Sequence, residues 1–253
     1  MSQRDAKPEA SAGGSSHPTG IGRLTALGLA VVALSIVLLR VLPSRMGDLP
    51  PGMITPVLAV ELARSPAEME RIFGDQGSTE RQEWRVRMVR GTWIDFGLLT
   101  AYGTFLAAVA GQIGRRSRST ATRLAFAAAL GAAIFDAVEN RQILVICSRL
   151  GGEYGDSMPR LVFATWGKWL LLALWFVLLS RPLWHARGFF RAAAIAGTVG
   201  AGGALVAVIL RGVAAEIMLN GISVGLAMLV VGAYREQARQ RRGGGRAGWT
   251  EWM

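Results

Sequence analysis

Six runs of about 19 to 23 mostly apolar residues dominate the chain: Leu24 to Leu42, Thr92 to Ile113, Leu124 to Ile146, Leu161 to Leu179, Ala192 to Leu210 and Ala215 to Tyr234. At 1.5 Å per residue, a helix of about 20 residues covers the ~30 Å hydrocarbon core of a bilayer. Inside hydrocarbon, a non-helical segment would leave its N–H and C=O groups unpaired, so such runs are committed to helix. The expected fold is therefore all-α, an integral membrane bundle of six transmembrane helices. Composition agrees, because 51% of the residues are hydrophobic and only 18% charged, whereas a soluble domain carries about a quarter charged residues. A disordered or collagen-like chain is excluded on the same grounds. The first run is read as a retained span and not a cleaved leader, since Pro43-Ser44-Arg45 offers no small-x-small cleavage site.

The net charge of +11 would point to nucleic acid in a soluble protein. Here the basic residues fall between the apolar runs, and no basic domain stands apart, so no nucleic-acid partner is expected. Arg115, Arg116, Arg118 and Arg123 fill one connection without an acid, and Arg181, Arg187 and Arg191 fill another. The positive-inside rule places both connections in the cytoplasm. The C-terminal tail, with Arg235, Arg239, Arg241, Arg242 and Arg246 against Glu236 and Glu251, agrees, while the loop holding Arg149, Glu153, Asp156 and Arg160 is balanced. The expected organisation is a disordered cytoplasmic tail over 1–20, a membrane domain over 21–234 with an extracytoplasmic segment over 43–91, and a basic cytoplasmic tail over 235–253. Cys147 is the sole cysteine, and the two histidines, His17 and His185, lie in a tail and a basic loop. Neither a metal nor a haem has a ligand set to bind, and no cofactor is expected.

The 43–91 segment balances seven arginines with seven acids and contains two helix starts with proline at the first position. Thr55-Pro56 opens a short amphipathic helix carrying Leu58, Glu61 and Leu62, expected to lie along the membrane interface or on the bundle. Ser65-Pro66-Ala67-Glu68 opens a second as a capping box, with Gly74 as its stop. The last two spans are rich in small residues, Gly197, Gly200, Gly202 and Gly203 on one and Gly221 and Gly225 on the other. Small residues let helix backbones approach closely in lipid. Packing within the bundle is the simpler use of these faces, and association with a second copy or another membrane subunit is left open. No internal repeat supports an inverted-repeat transporter.

Ionisable side chains inside a bilayer are costly unless paired or hydrated, and so mark candidate sites. On the third span Asp136, Glu139 and Asn140 share one helical face, with Arg141 turned away. Helical rise puts Asp136 and Lys168 of the fourth span at matching depths, roughly 10 to 12 Å below the extracytoplasmic boundary. Asp95 and Tyr102 of the second span bracket that level, Glu216 and Asn220 enter the sixth span from the same side, and Glu61 can reach down to it. Of the 28 basic residues only Lys7 and Lys168 are lysine. In a chain that otherwise uses arginine, position 168 is read as one needing a compact ammonium on a narrow stem. Simpler readings stand beside these. Asp136 and Lys168 can be a structural tie, Asp95 an interfacial helix-start acid, and Tyr102 a packed aromatic with one hydrogen bond. Trp93, Trp166 and Trp169 near one interface and Trp184 near the other fit an aromatic belt. One lysine cannot neutralise Asp95, Asp136, Glu139, Glu216 and Glu61, so surplus carboxylates need water, protons, Arg141 or Arg211, or a cationic ligand.

The set formed by Leu-Glu-Leu-Ala around Glu61, Asp95 with Tyr102, Asp136-x-x-Glu139-Asn140 and Lys168 resembles a group of uncharacterised bacterial multi-pass inner-membrane proteins. The resemblance covers roughly Met53 to Leu179. It implies a similar bundle, a similar polar pocket and a bacterial inner membrane, and implies no activity. From the residues, the expected function is binding of a small polar molecule or lipid head group by an outward-facing pocket of Glu61, Asp95, Tyr102, Asp136, Glu139, Asn140 and Lys168. A proton-coupled carrier using Asp136 and Glu139 is the first alternative and an accessory structural subunit the second. An enzyme ranks last, because no Ser-His, Cys-His, HExxH or phosphate-loop motif is present.

Overall fold

The computed structural model describes residues 20–242 apart from 187. The readings made for Lys7, His17, Arg187, Arg246 and Glu251 lie outside the described residues. Within them the chain forms α1 (Gly20–Val41), α2 (Pro56–Glu61), α3 (Pro66–Phe73), α4 (Thr79–Ser117), α5 (Thr120–Ser148), α6 (Ser157–His185), α7 (Phe189–Leu210) and α8 (Val213–Arg241), with no strand. All but α2 and α3 are long and apolar enough to cross a membrane, which is the six-helix architecture expected.

The long helices form a closed ring. Each packs on its neighbours in sequence, and α1 closes the circuit by packing on both α4 and α8. Short connections enforce the antiparallel order. Between α4 and α5, Arg118 takes a left-handed conformation (φ 46°) and Ser119 caps α5 by accepting the Thr122 N–H. Arg211 and Gly212 turn the chain from α7 into α8, both at positive φ. The ring is filled by Phe105, Trp175, Phe176 and Leu179, all essentially without exposure. Phe176 is accommodated because Gly197 of α7 and Gly225 of α8 lack side chains where its ring sits.

Several helices outrun the apolar runs, α4 most of all. α4 begins at Thr79, about thirteen residues or ~20 Å before the apolar run at Thr92. Ser78 caps it by accepting the Arg81 N–H at 3.1 Å. Arg87 on this extension donates to the carbonyls of Arg40, Val41 and Leu42, the otherwise unpaired end of α1. Gly91 allows the passage, since a β-carbon there would overlap the Leu42 side chain. α8 likewise continues to Arg241, beyond the membrane-domain boundary expected at 234. Arg235 on that extension stacks over the Phe189 ring at 4.6 Å.

α2 and α3 close one mouth of the ring. Leu58, Ala59, Val60, Leu62 and Ala63 are each 2% exposed or less, so α2 is inserted into the bundle and does not lie along its surface. Ser65 caps α3 as expected, but Glu68 accepts from the Arg64 N–H (2.8 Å), one residue before the usual partner in a capping box. Two further contacts anchor this plug. Glu216 of α8 accepts the N–H groups of Ile54 and Thr55 and the Thr55 hydroxyl at 2.7 to 2.9 Å. Arg211 donates to the Leu62 carbonyl (2.8 Å) and pairs with Glu68 (2.9 Å). Glu216 and Arg211 therefore serve the plug, and do not join the intramembrane carboxylates as surplus acid and neutralising base.

Candidate functional site

Three antiparallel helices and the end of the plug build the polar cluster. On α5, Asp136, Glu139 and Asn140 face inward, each 4% exposed or less, while Arg141 points out. Lys168 on α6 meets them at the same level. Its ammonium lies 2.5 Å from Glu139 Oε1, 3.1 Å from Glu61 Oε2 and 3.3 Å from Asp136 Oδ1. It also stands 4.9 Å from the centre of the Trp169 ring. Lys168 is thus a hub of three carboxylates, not one half of the Asp136 pair that depth matching pointed to, and its shortest contact is with Glu139.

α4 joins through two bonds. The Tyr102 hydroxyl donates to Asp136 Oδ2 at 2.7 Å, and the Asn140 amide donates to Asp95 Oδ2 at 2.8 Å. The seven sequence-selected residues therefore form two bonded groups, Tyr102, Asp136, Lys168, Glu139 and Glu61 in one and Asp95 with Asn140 in the other, adjoining where Glu139 and Asn140 follow each other on α5. Tyr102 and Asp95, each with a bland alternative reading, both bond to α5 residues of the cluster. Glu61 comes from α2, the only contributor outside the long helices. Burial raises its carboxyl above the ordinary range, and Lys168 opposes that effect.

Two contributors were not legible as such. The Trp169 indole N–H donates to Glu61 Oε2 at 3.2 Å, and the Thr165 hydroxyl to the Glu61 carbonyl at 3.0 Å. Trp169, expected in the aromatic belt, is only 6% exposed. The signal available was its position beside Lys168, with Thr165 one turn earlier on the same face. Trp93 and Trp184, by contrast, are 63% and 46% exposed.

The electrostatics are unbalanced. Glu61, Asp136 and Glu139 offer three carboxyl groups to one ammonium, with Asp95 bonded to Asn140 beside them; Glu139 Oε2 is buried with no hydrogen-bond partner, and Asp136 Oδ1 has the Lys168 ammonium at 3.3 Å but no hydrogen bond. Uncompensated charge in such a setting costs several kcal/mol per ion, so the excess calls for protons or a further cation. No group of three or more His, Cys, Asp or Glu side chains arranged to hold a metal ion occurs among the described residues. What the arrangement offers chemically is a set of acceptors for ammonium or protons, ordered by Tyr102, Asn140 and Trp169. Comparison with protein-family models, with curated proteins and with solved structures finds no match to this chain.

Proposed function

We propose that the protein is a multi-pass protein of a bacterial inner membrane that binds a small polar ligand bearing an ammonium, free or as a lipid head group, at the Lys168 carboxylate cluster. Both termini are cytoplasmic in this reading, and the end carrying α2 and α3 faces outward, because the arginine-rich connections lie at the opposite end. The observation that carries the proposal is the excess of carboxyl groups over the one ammonium, Asp136 and Glu139 buried and Glu61 and Asp95 partly so, with Glu139 Oε2 lacking a partner. A second cation would meet that oxygen and offset the excess.

The test is native mass spectrometry of the purified protein with ethanolamine added as probe, comparing wild type with the Asp136→Asn/Lys168→Met double variant. Retained probe on the wild type and at least tenfold less on the variant is expected. Equal retention, with both proteins inserted and monodisperse, would reduce the cluster to a structural tie. A second reading, proton-coupled transport, is favoured by the continuous polar contact from Tyr102 through Asp136 and Lys168 to Glu61. Proteoliposomes with an imposed pH gradient separate the two, since a carrier moves labelled ethanolamine across the bilayer and a binding protein does not.

A further inference from the structure

A second concavity lies outside the carboxylate cluster, at the end of the bundle that carries the plug. It encloses about 660 Å³ and is lined chiefly by Arg64, Pro66, Met158, Val162, Phe163 and Trp166, a size within the ~300–1,000 Å³ common for ligand pockets. Met158, Val162, Phe163 and Trp166 follow one another on one face of α6. That face lies where α6 begins its apolar run at Leu161, so the hollow straddles the level at which the helix enters hydrocarbon. Phe163 is 69% exposed along it, a surface suited to acyl chains and costly in water.

Arg64 stands at the rim. Its guanidinium donates one hydrogen bond, Nη2 to the Val208 carbonyl at 3.2 Å, and is exposed. No ion pair among the described residues uses it. The nearest acid in sequence, Glu68, is taken by Arg211 and by the Arg64 backbone N–H. The remaining guanidinium donors form a fork whose spacing matches two oxygens of a phosphate. A guanidinium without an ion pair above an apolar trough at a membrane boundary has the complement of one kind of molecule, with a phosphodiester at one end and hydrocarbon at the other.

We infer that this hollow is a binding site for a glycerophospholipid, with the phosphodiester on Arg64 and an acyl chain laid along Val162, Phe163 and Trp166. The site is independent of the carboxylate cluster and stands whether or not the cluster binds an ammonium. Its phosphate position lies three residues past Glu61, at the edge of the plug, so lipid occupancy bears on the segment that closes the ring.

The test uses full-length protein in mixed micelles containing phosphatidylethanolamine, phosphatidylglycerol and diacylglycerol, with retained lipid read by native mass spectrometry. The wild type is expected to keep one phospholipid of either head group and at least tenfold less diacylglycerol. Arg64→Gln should lose that preference for phosphate, and Val162→Trp, which fills the trough, should lose retained lipid of every class. Asp136→Asn should keep the lipid, since it acts on the other site. Diacylglycerol retained as well as phospholipid, or an unchanged profile in Arg64→Gln or Val162→Trp, would overturn the assignment. Loss in Asp136→Asn alone would move the lipid to the carboxylate cluster and overturn it too.

Discussion

Replacing Lys168 with methionine removes the cation that, among the described residues, Glu61, Asp136 and Glu139 share, and leaves the Asp136 and Glu139 carboxyl groups buried and that of Glu61 largely so. Breaking one side of a buried ion pair costs about 3–5 kcal/mol, mostly from the charge left behind. Lys168→Met is therefore expected to lower the thermal midpoint in detergent markedly, and Lys168→Met/Glu139→Gln to recover a large part of the loss. A midpoint unchanged in the single variant would mean that the carboxyl groups are already neutral and owe nothing to the lysine. At this scale much of the site was legible. The 136, 139, 140 spacing fixed a face of α5, and the scarcity of lysine singled out position 168. What could not be read was which oxygen each donor would choose. That choice depends on the reach of the lysine stem across α5 and on Glu61 arriving from α2, and the sequence encodes neither as a spacing.

At the scale of elements, the plug formed by α2 and α3 holds its place through charged groups borrowed from elsewhere. Glu216 accepts three hydrogen bonds at the start of α2. Hydrogen bonds to a charged group contribute about 1.5–3 kcal/mol, and the amide of a glutamine cannot accept all three. Glu216→Gln should therefore raise hydrogen exchange over residues 53–62 by one to two orders of magnitude while the long helices keep their protection. Exchange as slow as in wild type would show that apolar burial alone seats α2.

A second clasp is pH-dependent. Glu70 on α3 accepts from Arg81 (2.5 Å), from the Tyr154 hydroxyl (2.7 Å) and from the Gly151 N–H (3.1 Å), joining α3 to α4 and to the loop after α5. Partial burial pushes the Glu70 carboxyl up, but the hydrogen bonds from Tyr154, Arg81 and Gly151 outweigh it and hold it below the ordinary value of 4.5. A depressed carboxyl contributes stability that is present above its unfolded value and is lost as pH falls through the folded one. Proteolysis of the 74–78 turn should therefore accelerate only below about pH 4.5, and Glu70→Gln should be cut readily at neutral pH. The two short helices were legible from Thr55-Pro56 and Ser65-Pro66. The first turns of α4 were not, because they carry no apolar run. They are ordered by tertiary contacts, with Arg81 and Met88 buried and Arg87 closing the end of α1.

At the scale of the whole molecule, six spans were countable from hydropathy, but their closure into a ring was not, since apolar length carries no information about which helix meets which. The glycines of α7 and α8 carry part of that information. A β-carbon on Gly221 would come within 2.6 Å of the Gly200 backbone, and one on Gly200 within 2.7 Å of the Ile222 nitrogen. Backbone cannot yield as a side-chain tip can, so any larger residue at either position forces the helices apart. Gly202 lies on the same helix as Gly200, yet a β-carbon there would meet nothing within 4 Å. The pair makes a controlled comparison in which helix propensity works against the expected result, because alanine favours helix over glycine by about 1 kcal/mol at both sites. Gly202→Ala should leave the thermal midpoint unchanged or raise it. Gly200→Ala should lower it, since the crossing of α7 and α8 opens, and with it the α8–α1 contact that completes the ring and the Glu216 anchor that seats the plug over Lys168. Equal effects of the two substitutions would mean that α7 and α8 do not cross at this point, and the closed ring would have to be redrawn.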